Sequence, residues 1–232
     1  MISANLDVLR ERIRQACLRS GRDPSEVTLL AVAKTFSPED VREAVKAGVI
    51  DVGENYVQEL LEKREILVEE RIRWHFIGHL QTNKVKYIAP WIHLVHSVDN
   101  LAVAREIDKR ALQCGRIIDV LVEVNTTGEG SKFGVPPERT PGFMNDLGGF
   151  SHIRVAGLMT IGPFLPDPEG SRPMFRTLRL LRDEAVARGQ QNAPMQHLSM
   201  GMTGDFDVAI DEGATIIRVG TAIFGVRKRK GS

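Results

Sequence analysis

Val27-Thr28-Leu29-Leu30-Ala31-Val32-Ala33-Lys34 is the stretch on which the architecture turns. Its first seven residues hold a single hydroxyl and show no polar face, as in a parallel strand covered on both sides. A helix start follows at Ser37-Pro38-Glu39-Asp40: Ser37 can cap it and Pro38 suits its first position. Val41, Ala44 and Val45 then form one apolar stripe, and Gly48 stops the helix.

Working outward, the strand-then-helix unit recurs. Further strands are expected at Ile50–Val52, Arg73–Ile77, Ile92–Val95, Ile117–Val124, Val155–Thr160, Gln196–Ser199 and Thr215–Val219. Helical patterns lie between them, as at Asp99–Leu112 and from about Glu169 to Arg188, which Gly189 ends. Alternation of this kind implies a parallel sheet, and eight units close into a (β/α)8 TIM barrel. An additional N-terminal helix, Ile2–Arg19, precedes the first strand and is ended by Gly21 and Pro24. An open doubly wound sheet is the alternative. It usually carries a glycine-rich loop after its first strand, whereas Lys34-Thr35-Phe36-Ser37 contains no glycine. One domain over residues 1–232 is expected.

A net charge of +1 gives no global field for nucleic acid or membrane partners. No apolar run approaches the length of a membrane span. Charges at Asp7, Arg10, Glu11 and Arg12 break any secretory leader, so a cytoplasmic monomer is expected. Cys17 and Cys114 lie far apart in the chain, without metal-ligand spacing, and read as free thiols. Arg227-Lys228-Arg229-Lys230 reads as a solvated tail.

A barrel gathers its chemistry at the C-terminal ends of its strands. Those ends carry Lys34, Gly53-Glu54-Asn55, Gly78-His79, Ser97, Asn125, Met159-Thr160, Ser199-Met200-Gly201 and Arg218-Val219-Gly220-Thr221. Partial desolvation of Lys34 would free its amine to attack a carbonyl. The plainer reading is a lysine that reaches solvent over a packed stem. Arg218 could equally be structural, paired to Asp211 or Glu212. Ser199 to Gly204 and Gly220-Thr221 follow the last two strands, where barrels often bind phosphate. His75 and His79 are four apart across strand and loop, which is no helical ligand face, and no metal site is expected.

Several short segments, taken together, resemble the YggS/PROSC family of pyridoxal phosphate homeostasis proteins. They are Leu30 to Thr35, Gly53 to Glu59, Trp74 to Lys84, His96 to Asp99, Gly157 to Ile161, Ser199 to Met202 and Arg218 to Gly225. The resemblance implies a barrel like the N-terminal domain of alanine racemase, with pyridoxal 5′-phosphate held as a Schiff base on Lys34. It implies that Arg218 faces the pyridine nitrogen, that Ser199, Gly201, Gly220 and Thr221 hold the phosphate, and that Asn55 lies close to the cofactor. It further implies a non-enzymatic role in vitamin B6 balance, with pyridoxal-dependent apo-enzymes as possible recipients. Two stretches depart from the family pattern: Thr203-Gly204-Asp205, and the loop with Gly130 and Phe133 around Ser131-Lys132, where Lys132 is a second candidate amine.

An arginine opposite the ring nitrogen can only donate, so it weakens the ring as an electron sink. Alanine racemase adds a tyrosine base from a second domain, and the tyrosines here, Tyr56 and Tyr87, belong to the second and third units. A carrier or regulator is therefore the leading reading. A weak pyridoxal-dependent racemase or lyase is the alternative, and a cofactor-free Schiff-base lysine acting on a phosphorylated sugar is the third.

Overall fold

The computed structural model describes residues 1–129, 133–163, 165–189 and 192–226. Lys132 and the basic run 227–230 lie outside the described residues. In chain order the elements are α1 (Ile2–Arg19), β1 (Thr28–Val32), α2 (Pro38–Lys46), β2 (Asp51–Glu54), α3 (Val57–Ile66) and β3 (Arg73–Phe76). There follow α4 (Val85–Ile88), β4 (Leu94–Val98), α5 (Leu101–Gln113), β5 (Ile118–Glu123), α6 (Thr140–Leu147) and β6 (Ile153–Met159). The chain closes with α7 (Arg172–Arg188), β7 (His197–Ser199), α8 (Phe206–Asp211), β8 (Ile216–Val219) and α9 (Thr221–Phe224).

The eight strands form one closed parallel barrel in sequence order, with β8 returning to β1 through Thr28↔Ile216 to Ala31↔Val219. The expected architecture is therefore observed, and α1 has the expected limits. Ser37 caps α2 as its sequence implies: its hydroxyl accepts from the Asp40 N–H, and the Asp40 carboxylate accepts from the Ser37 N–H. The largest boundary difference is β4. Expected at Ile92–Val95, it runs Leu94–Val98, which draws His96 and Ser97 into the sheet. Helix α7 begins at Arg172, after a 3-10 turn at Pro168–Ser171 capped by Asp167.

Two apolar clusters follow from the closure. The larger lies between sheet and helices and includes Ala31, Val52, Phe76, Val95, Leu158 and Leu198. The smaller fills the barrel itself with Leu30, Ile77, Leu94, Leu121, Ala156, Met159 and Ile216. Helix α1 buries Ile2, Leu6, Leu9, Ile13 and Ala16 at alternating steps of four and three, with Cys17 beside the last. It packs beside α2, α8 and α9, where the Asn5 amide donates to the Ile223 carbonyl at 2.9 Å and Arg12 pairs with Asp207 at 2.7 Å. Cys17 is buried and Cys114 exposed, both as free thiols. No helix among the described residues is long and apolar enough to cross a membrane.

Close packing of strands makes some glycines obligatory. A Cβ on Gly157 in β6 would run into the His197 carbonyl group of β7, a backbone atom that cannot turn aside. Gly142, exposed in α6, would meet nothing within 4 Å. Gly157→Ala should therefore destabilise the protein by about 2 kcal/mol or more. Gly142→Ala should stabilise it by about 0.5–1 kcal/mol through lost chain entropy. Urea unfolding of the two variants checks this, and similar midpoints would contradict the strand spacing.

Candidate functional site

At the C-terminal mouth a cleft of about 540 Å³ is lined by Val32, Lys34, Asn55, Ile77, Ile161, Met202, Thr203, Gly204, Arg218, Gly220 and Thr221. Lys34 stands half-buried in the turn after β1. Its two flanking peptide groups are held from α3: Lys63 Nζ donates to the Ala33 carbonyl at 2.7 Å, and the Thr35 N–H donates to Glu59 Oε2 at 2.8 Å. Lys63 is itself buried against Glu54 at 2.6 Å and reaches Glu59 at 3.2 Å. Burial pushes the Glu54 carboxyl up to about 7 against the pull of Lys63. Thr35 takes a left-handed φ of 69°, and Phe36 stacks on Phe224 with ring centroids 4.7 Å apart, tying this turn to α9.

Arg218 is buried at the end of β8, with Nη1 donating to Ser199 Oγ at 2.8 Å and Nη2 to the Thr160 carbonyl at 2.7 Å. It does not pair with Asp211 or Glu212. Glu212 is taken by Arg172, Arg176 and Arg179 on α7, and Asp211 by Arg172. Burial lowers the Arg218 pKa to about 10, with Glu123 and Asp205 opposing, so the guanidinium remains charged at neutral pH.

Across from Lys34, Thr221 Oγ1 donates to Thr203 Oγ1 at 3.2 Å, which sets two hydroxyls side by side among glycines. Gly220 sits where a Cβ would come within 3.1 Å of the Val32 carbonyl oxygen. Gly201, at φ 88°, lies behind the wall, where a Cβ would come within 2.6 Å of the Ala209 Cβ. The structure thus brings Lys34, Asn55, Arg218, Gly220 and Thr221 to one cleft. It places Gly201 in the supporting turn and turns the buried Ser199 hydroxyl toward Arg218 and His96. Thr203, which keeps a hydroxyl where the chain departs from the family pattern, stands beside Thr221. Ser97 donates to the Gly78 carbonyl at 2.5 Å, and His79 stacks on Phe133 beside a second cleft that shares Asn55.

The donor set suits a phosphorylated aldehyde. Lys34 offers an amine and Arg218 a charged guanidinium held in place by Ser199 and Thr160. Thr203 and Thr221 offer hydroxyls to an anion, and the buried Asn55 Oδ1 has no protein partner. A metal has a weaker claim. Asp51, His75 and His93 bring ligand atoms within 4.8 Å of one another at the opposite end of the barrel. However, both ring nitrogens of His75 are already bonded, and Arg73 holds Asp51 at 2.6 Å.

Residues 4–228 match the family described as "Alanine racemase, N-terminal domain". A protein of Aquifex aeolicus called "Pyridoxal phosphate homeostasis protein" is 49% identical over 218 residues, 94% of this chain and 95% of its own. One of the same description from Pseudomonas aeruginosa is 41% identical over 231 residues, 97% of this chain and 96% of its own. Among solved structures, PipY of Synechococcus elongatus PCC7942, a COG0325 family member with PLP bound, superposes with a TM-score of 0.83 at 32% identity. That match covers 97% of this chain and all of that one, 100%.

Glu123, buried at the end of β5, has its carboxyl pushed up to about 7 by burial and by Asp99, with Arg218 opposing. The folded protein therefore holds this proton more tightly than the unfolded chain does. The stability it contributes is complete below about pH 4.5 and is lost as pH rises toward 7. The loss amounts to about 3 kcal/mol. Glu123→Gln should flatten that fall between pH 5 and 8 in the cofactor-free protein. Thermal melts of equal pH slope in both proteins would remove Glu123 as the titrating group.

Proposed function

Since the chain belongs to the alanine racemase N-terminal-domain family, and within it to the pyridoxal phosphate homeostasis proteins, we propose that it holds pyridoxal 5′-phosphate on Lys34 as a carrier or regulator rather than turning over amino acids. The observation that carries this reading is the meeting, in one cleft, of the Lys34 amine, the buried Arg218 guanidinium and the paired hydroxyls of Thr203 and Thr221.

When bound, the cofactor supplies an aldehyde for a primary amine and a ring that draws electrons from the attached carbon. Lys34 supplies the amine, steadied by the bonds on either side of it. Thr203 and Thr221 can each turn an O–H toward a phosphate, and Gly204 and Gly220 let the backbone come close. Arg218 would donate toward the ring and, as a charged donor, would give up no proton there.

Support for the carrier over the racemase or lyase comes from the wall itself. The described residues that line the cleft include no carboxylate, histidine or tyrosine. Tyr56 lines the neighbouring cleft, and Tyr87 lies half-exposed on α4. Moving a proton on and off both faces of a carbon needs a second positioned base, and losing one costs about 10²–10⁴-fold in rate. Recipient apo-enzymes of this cofactor fit the carrier role, and transfer from loaded protein to such enzymes measures it.

Borohydride reduction of the loaded protein followed by peptide mapping should place the covalent adduct on Lys34, and Lys34→Ala should lose the bound chromophore while remaining folded. An adduct mainly on Lys132 would overturn the assignment. Thr221→Ala and Arg218→Ala should each speed cofactor dissociation by about 10-fold or more, the worth of a hydrogen bond to a charged group. Loaded protein in deuterated water with L-alanine should change its spectrum stoichiometrically without repeated α-deuteration. Many turnovers would make it an enzyme.

A further inference from the structure

Five buried groups, one from each of five strands, form a single hydrogen-bonded line from the cleft to the opposite end of the barrel. Arg218 Nη1 lies 2.8 Å from Ser199 Oγ, and Ser199 Oγ lies 2.9 Å from His96 Nδ1. His96 Nε2 lies 2.9 Å from His75 Nδ1, and His75 Nε2 lies 2.9 Å from Asp51 Oδ1. The other Asp51 oxygen accepts from Arg73 at 2.6 Å. The step from Ser199 on β7 to His96 on β4 crosses the barrel interior, between strands that are not neighbours. None of the five groups is more than 5% exposed.

Proton counting gives this line one direction. A guanidinium only donates, so Ser199 Oγ accepts from Arg218 and has one hydrogen of its own to place. Its remaining partner is His96 Nδ1, and a bare nitrogen there uses that hydrogen; since a hydroxyl oxygen can also accept twice, the carboxylate at the other end of the line decides between the two arrangements. His96 consequently carries its hydrogen on Nε2 and gives it to a bare Nδ1 on His75. His75 in turn carries its hydrogen on Nε2 and gives it to the carboxylate of Asp51. The reverse arrangement would set a bare His75 nitrogen against that carboxylate, two acceptors face to face.

Both rings must also be uncharged, and their surroundings agree. Burial depresses His96 well below the usual histidine range, with His75, Arg218, His197 and His93 adding to the effect. Burial depresses His75 too, although Asp51 opposes it, while Arg73 and His197 reinforce it. Asp51 is held below the usual carboxylate range by its bonds to His75 and Arg73, against the opposing effect of burial.

We propose that Asp51 is a positioning residue for the cofactor cleft: its carboxylate sets the direction of the Arg218–Ser199–His96–His75 line, fixes both histidines as Nε2–H tautomers and thereby fixes the Arg218 guanidinium at the far end. The coupling to cofactor rests on the function proposed above, whereas the tautomers do not. A neutral amide at position 51 can keep its oxygen on Arg73 only by turning its N–H groups to His75. Both rings must then switch to the Nδ1–H form together, leaving Ser199 as acceptor from both sides.

The test uses ¹⁵N-histidine-labelled, cofactor-free protein and reads ring nitrogen correlations by NMR at pH 7 and pH 6. His75 and His96 should both be neutral with the hydrogen on Nε2. In Asp51→Asn both should change to Nδ1–H. An Nδ1–H ring in the unchanged protein, or a charged ring at pH 6, would overturn the proposal. So would a variant in which only one ring switches or neither does. Zinc added alone should leave His75 unaltered, and loss of its Nε2 proton on binding metal with Asp51 and His93 would also overturn it.

On loaded protein, Asp51→Asn and Ser199→Ala should each speed cofactor dissociation by about 3- to 10-fold, as for one neutral hydrogen bond. The double variant should be no faster than the faster single one, because both cut the same line. Multiplying effects would show that Asp51 does not act through Ser199. Should the adduct map away from Lys34, the cofactor reading fails while the tautomer result stands. The converse outcome separates the two in the other direction.

Discussion

A guanidinium must be kept charged in a space otherwise filled by Leu30, Ile77, Leu121 and Ile216, and the barrel interior is arranged around that requirement. An isolated buried charge is expensive, and it is tolerated when its donors are occupied and opposite charge lies within reach. Arg218 gives two of its N–H groups to neutral oxygens, Ser199 Oγ and the Thr160 carbonyl. The compensating negative charge stands further off, at Asp205, at Glu123 when ionised, and through the histidine line at Asp51. With no carboxylate among the described residues in direct contact, none of these neutralises the charge where it faces the cleft. Its field there is available to a ligand.

The second constraint is positional. Lys34 has a flexible stem, yet the turn that carries it is fixed at three points: Ala33 by Lys63, Thr35 by Glu59, and Phe36 by its stack on Phe224. The last of these joins the turn after β1 to α9, whose first residue is Thr221. The turn that carries the amine is thereby joined to the helix that carries the Thr221 hydroxyl. The Glu54–Lys63–Glu59 cluster serves this turn at some cost, since Glu54 is wholly buried with Oε2 unpartnered.

Much of this was legible in the chain. Eight apolar runs separated by helical stripes imply the closed barrel, and strand ends alone gather Lys34, Asn55, Arg218, Gly220 and Thr221. The interior line was not legible, for a physical reason. His75, Ser199 and Arg218 were seen singly, but what joins them is the pleat: alternate residues of a strand face the same side. Leu30 on β1, Gly53 on β2, Ile77 just past β3, Leu94 on β4 and Leu121 on β5 mark the inward rows, and Asp51, His75 and His96 fall two residues from them. Counting by twos from those apolar residues would have found the line. Placing the end of β4 at Val95 hid His96 in a loop. Ser199 was read as a phosphate ligand because serine after strand seven commonly is one. No single sequence says which way a buried hydroxyl turns, and here Arg218 and His96 claim it from both sides.

Holding an anionic aldehyde without processing it calls for charge and one amine, not for an array of bases. The cleft supplies a permanent cation in Arg218, an amine in Lys34 and two neutral hydroxyls. Acid–base groups with shifted pKa values are present in the barrel, but the four that follow are not among the residues that line the cleft. Glu54 is bound to Lys63, Glu123 stands at the end of β5, and His75 and His96 are committed to each other. Among the described residues lining the cleft, the titratable groups are Lys34 and a guanidinium that keeps its proton at neutral pH. A lining of this kind suits the exchange of one amine for another at Lys34, and among the described residues it offers no second base for the opposite face.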